Sequence, residues 1–105
     1  MTNNKAIAIG NLADRLSSLA VRMPRGVVAA RLEGMALSLY LIAGAVNTGD
    51  MGAVASYTND LASELRAFGD RCPAAVLERV RPLLSEILDA ETVARFVLAS
   101  NAVRS

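Results

Sequence analysis

The chain has 105 residues, enough for one domain with one core; 53% of them are apolar, 20% are charged, and the net charge is +1. That balance argues against a bulk electrostatic grip on nucleic acid or an anionic membrane. Histidine is absent and cysteine occurs once, at Cys72, which excludes a histidine general base, an intrachain disulfide and a cysteine zinc cluster.

At the N-terminus, Thr2, Asn3 and Asn4 are each able to cap a helix start. Ile9, Leu12, Leu16, Leu19 and Met23 then follow at alternating steps of three and four, the seam of a packed helix. Gly10 weakens the first half, so Asn11–Arg22 is the firm part of this helix. The apolar run AIAIG after Lys5 is broken by Asp14 and Arg15 before it reaches the length of a signal peptide. Pro24 and Gly26 punctuate the first break, and Pro24 is also suited to the first position of the next helix.

The stretch 27–47 is the most apolar in the chain. Met35, Leu37, Leu39, Leu41, Ile42 and Val46 point in every direction around a helical turn, and a helix apolar all round belongs inside a core or a membrane. Its charge-free run, from Gly34 to Gly49, falls short of the roughly 20 apolar residues a span requires, and Arg31 and Glu33 stand just before it. A buried helix in a soluble protein is therefore expected here, not a membrane span. Ala30, Gly34 and Ser38 recur every four residues and form a strip on which another helix backbone could approach closely.

Asn47, Thr48 and Gly49 form a turn, and Asp50 is a good N-cap for the third helix. Met51, Val54, Thr58, Leu61, Leu65 and Phe68 give that helix one apolar stripe, and Gly69 is placed to stop it. Asp70, Arg71 and Cys72 read as a short loop, with Pro73 in the first turn of the fourth helix. There Val76, Leu77, Val80, Leu83, Leu84, Ile87 and Leu88 make the strongest amphipathic pattern in the chain. Pro82 lies on its polar side, where a kink or a restart is expected. Asp89 is able to cap a fifth helix carrying Val93, Phe96 and Val97, but the spacing equally lets the fourth helix run on to about Ala102. No strand or hairpin signal occurs.

These elements predict a single all-α domain, a small bundle of four to five helices around the central apolar helix. The apolar content exceeds what one copy needs, so dimerisation is expected to complete the bundle. No phosphate-binding glycine loop is present, and no metal site or cofactor is expected. The acid pairs Asp60/Glu64 and Glu86/Asp89 fall on polar faces and read as solvated surface. Cys72, just before a helix start, stands where a thiolate is favoured, although a lone thiol gives no site.

Three functional classes remain, the least favoured being a peripheral or integral membrane protein with Val27–Val46 in lipid. The first is a non-enzymatic regulator or adaptor in the cytoplasm, binding itself and another protein through leucine-rich faces; Leu12, Leu16, Leu19, Ala30, Gly34, Ser38, Leu61 and Leu65 are the candidate contacts. In size and helical make-up the chain resembles many small bacterial regulators. The second, subordinate class is a nucleic-acid-binding regulator. It rests on Arg15, Arg22, Arg25 and Arg31, because no acid interrupts the chain from Arg15 to Glu33 and these arginines could form a basic corner.

Overall fold

Four helices account for nearly all of residues 3–104, the part of the chain that the computed structural model describes; Thr2 lies outside it. They are α1 (Asn4–Arg22), α2 (Val27–Thr48), α3 (Met51–Arg71) and α4 (Ala74–Arg104), and no strand occurs among the described residues. Short links of Met23–Gly26, Gly49–Asp50 and Cys72–Pro73 send each helix back antiparallel to the one before it.

The helix ends follow from the side chains there. Asn3 Oδ1 accepts the backbone N–H groups of Lys5 and Ala6 at 3.0 and 3.3 Å. Asp50 Oδ1 accepts that of Ala53 at 3.1 Å. Each satisfies donors that a first helical turn leaves unpaired. Gly49 ends α2 in the left-handed region, at φ 77°, where a Cβ would be strained. Gly69 does not stop α3; the helix runs on through Asp70 and Arg71 to Cys72, whose N–H still reaches Phe68 O at 2.9 Å. Pro24 stays in the first link, and Gly26 precedes α2 in extended conformation. Gly10 is accommodated within α1.

No fifth helix forms. The fourth passes through both Pro82 and Asp89 as one element of 31 residues. Pro82 is exposed, so the carbonyl of Glu78, which proline leaves without its helical donor, lies on the wet side. In this single helix Val80, Ile87 and Ala94, seven residues apart, are buried, whereas Leu88 and Phe96 are turned outward. Phe96 was expected on the apolar face of a fifth helix; its ring instead lies 5.0 Å from the Lys5 ammonium.

The most extensive helix contact is that between α1 and α2. Along it the sequence repeats alanine every seven residues, with Ala6, Ala13 and Ala20 buried on α1 and Ala29 and Ala36 on α2. Small side chains at a heptad position let two helices approach closely, since interaxial distance follows the residues at the contact. Leu16, Leu32, Met35, Leu39, Ile42, Leu61 and Phe68 fill the space between helices and are fully buried.

The central helix departs from its expected surroundings. It packs on α1 and on α3 but barely touches α4, which packs mainly on α3 and meets α1 along a thinner seam. Only 39% of its most apolar 18-residue window is buried. The physical reason is the brevity of the links: they hold α1 and α3 at the flanks of α2, and no element remains to cover its outer side. The molecule measures 45 × 25 × 19 Å and exposes 6416 Å², against about 5,600 Å² from size scaling for its mass.

Candidate functional site

The arginine group is dispersed. Arg15 makes a bidentate pair with Glu86 of α4, at 3.0 and 2.9 Å, closing the seam between α1 and α4. Arg22 lines the same groove, a hollow of about 430 Å³ that also holds Asp14, Arg79, Leu19 and Leu83. Arg25 belongs to another hollow, between the C-terminal end of α1 and the start of α2. Arg31 is half-buried, with Nε enclosed and without a hydrogen-bond partner. Arg15 and Arg22 thus line the groove beside α4 and Arg25 the hollow at the start of α2, with Val21 bordering both Arg22 and that second hollow.

The leucine candidates divide in a similar way. Leu12, Leu16 and Leu61 are core residues within one copy, and Leu19 and Leu65 are half-buried against that core. The small strip on α2 receives a carboxylate. Ser38 Oγ donates to Glu64 Oε1 at 2.5 Å, and a Cβ on Gly34 would stand 2.8 Å from Glu64 Oε2. Glu64 is thus half-buried, not a solvated surface acid, and Glu86 is likewise engaged by Arg15. Ala30, at the other end of the strip, is exposed. Among the described residues no cluster of His, Cys, Asp and Glu is arranged to hold a metal ion. Burial raises the Cys72 thiol above its ordinary pKa, opposite to the shift an activated thiolate requires.

What sequence reasoning missed is the outer face of α1 and α2. Ile7 and Val21 on α1, with Val27, Leu37, Tyr40 and Leu41 on α2, are all exposed; Val21 is 73% and Leu37 59% accessible. On α2 the exposed positions Val27, Ala30, Leu37, Leu41 and Gly44 fall on one heptad seam, whereas Gly34, at the same register, is half-buried beneath the Glu64 carboxylate of α3. The spacing is present in the sequence, but a helix apolar on all sides does not reveal which of its stripes faces outward. Tyr40 donates its phenol hydrogen to Asp14 Oδ1 across the two helices. That bond, followed by desolvation and the carboxylate charge, raises the Tyr40 pKa. Nearer the start of α2, Val21, Arg25, Gly26, Ala29, Ala30 and Glu33 enclose a hollow of about 420 Å³. Length and hydropathy alone would also allow α2 to cross a membrane.

No protein family, curated protein or solved structure matches the chain.

Proposed function

We propose that the chain is a non-enzymatic helical adaptor or regulator of the cytoplasm, working by self-association and by binding another protein. The observation that carries this reading is the row of exposed apolar side chains on the outer side of α2, Val27, Leu37, Tyr40 and Leu41, flanked by Val21 of α1. Contiguous exposed apolar surface on a small protein marks an interaction site. The contact set accordingly moves from Leu12, Leu16 and Leu61, which one copy already buries, to the outward heptad seam of α2. A leucine inside the core is available to a partner only by unfolding.

The sequence holds no histidine, the commonest general base, and a binding role needs none. The nucleic-acid reading loses support from the pairing of Arg15 with Glu86.

The test is Leu37→Arg, with Leu88→Arg on α4 as control; both residues are exposed, so neither change opens the core. Leu37→Arg should halve the native mass and abolish capture of a partner from the host, while Leu88→Arg leaves both intact. Unchanged mass and capture in Leu37→Arg would refute the reading, and nucleic acid retained by the purified protein would favour the alternative.

A further inference from the structure

The outer face of α1 and α2 combines a ridge with a hollow, and we propose that its occupant is a second copy of the chain, docked antiparallel about a two-fold axis level with Met35 and Ala36. The inference rests on the reading of this face as a protein-binding surface and adds its partner and its register.

Three observations support it. The first is size. On the α2 seam the residues are Val27, Ala30, Gly34, Leu37, Leu41 and Gly44. Antiparallel pairing about that axis sets Val27 against the partner's Gly44 and Ala30 against the partner's Leu41, while the partner's Leu37 comes level with Gly34, over which the Glu64 carboxylate lies. At the two outer pairs a bulky side chain meets a small one, which is how facing helices interdigitate without voids. Parallel pairing in the same register would set leucine on leucine and glycine on glycine, giving clashes and gaps in alternation.

The second is the relief beside the seam. Tyr40 stands on the C-terminal half of α2, and the hollow lined by Val21, Gly26, Ala29 and Ala30 lies at its N-terminal half. The two-fold brings the partner's Tyr40 level with the mouth of that hollow. Both copies do this at once, as an isologous interface requires. The hollow carries one base, Arg25, and one acid, Glu33, so charge neither favours nor opposes the arrival of Asp14 with Tyr40.

The third is area. A 22-residue helix is about 33 Å long, and two helices side by side are about 20 Å wide. That face is of the order of the roughly 800 Å² that one partner contributes to a stable interface, whereas α2 alone offers about half as much. Ile7 and Val21 on α1 are exposed on this flank and extend the apolar contact.

Disulfide trapping on a Cys72→Ser background tests the register. Positions 30 and 41 of one helix are about 16 Å apart, too far to bridge within a copy. The double variant Ala30→Cys with Leu41→Cys should oxidise to a covalent dimer. Leu41→Cys alone should not, because the two copies of position 41 are about 16 Å apart across the axis. Covalent dimers from Leu41→Cys alone would establish parallel pairing and overturn the inference. So would a single-copy native mass, or recovery of the protein from membranes only in detergent, which would place the α2 face against lipid. In the single-copy case, loss of partner capture by Leu37→Arg would leave the binding surface standing without self-pairing.

Discussion

Thr58 is fully buried on α3, and its hydroxyl oxygen is enclosed without a hydrogen-bond partner. A buried hydroxyl of this kind forfeits its hydration without return. Thr58→Val keeps the shape and removes the polar atom, so the protein should gain about 1 kcal/mol in a urea titration; a loss of stability would mean that the hydroxyl is satisfied in solution. Tyr40 gives a second residue-level expectation. Its bond to Asp14 favours the neutral phenol in the folded chain and raises its pKa. The stabilisation is complete below the unfolded value near 10 and disappears as pH rises through the higher folded one. Ultraviolet titration should show one of the two tyrosines ionising late, and Asp14→Ala should return it to the ordinary range. If Asp14→Ala leaves the titration unchanged, the bond is not formed in solution.

Among the elements, the helix starts were the most legible part of the sequence. Asn3 and Asp50 cap as their chemistry requires, and the apolar stripes of α1 and α3 face the core at Ile9, Leu12 and Leu16 and at Val54, Leu61 and Phe68. The stops were less legible. Gly69 is a permissive residue, and permission is weaker than a demand: α3 continues until Pro73 enforces the break. Pro82 failed to end α4 because it lies on the exposed side while Val80 and Ile87 anchor the flanking turns in the core. Its cost therefore persists within an intact helix. Pro82→Ala should stabilise the protein by about 1–3 kcal/mol by restoring the donor to Glu78 and removing the ring clash. A calorimetric scan in which the variant melts at or below the parent temperature would show that α4 is already broken there.

For the whole molecule, the all-helical architecture could be read from period alone, but the working surface could not. Amphipathic helices declare their buried side, and α1, α3 and much of α4 did so. A helix apolar on every side declares nothing: its composition predicts an enclosed α2, and the short links leave its outer side bare. Strong periodicity marks core rather than contact surface: Leu12, Leu16 and Leu61 are internal for that reason. Glu64 was concealed by distance in sequence, since only the crossing of α2 and α3 brings it to Gly34 and Ser38. What one copy cannot cover, a second one with the same relief can. The most direct measurement is the native mass by light scattering, in detergent-free buffer, of the unmodified protein beside Leu37→Arg. Twice 11.0 kDa for the parent and 11.0 kDa for the variant is the expected result; 11.0 kDa for both would contradict the claim that the α1/α2 face joins two copies.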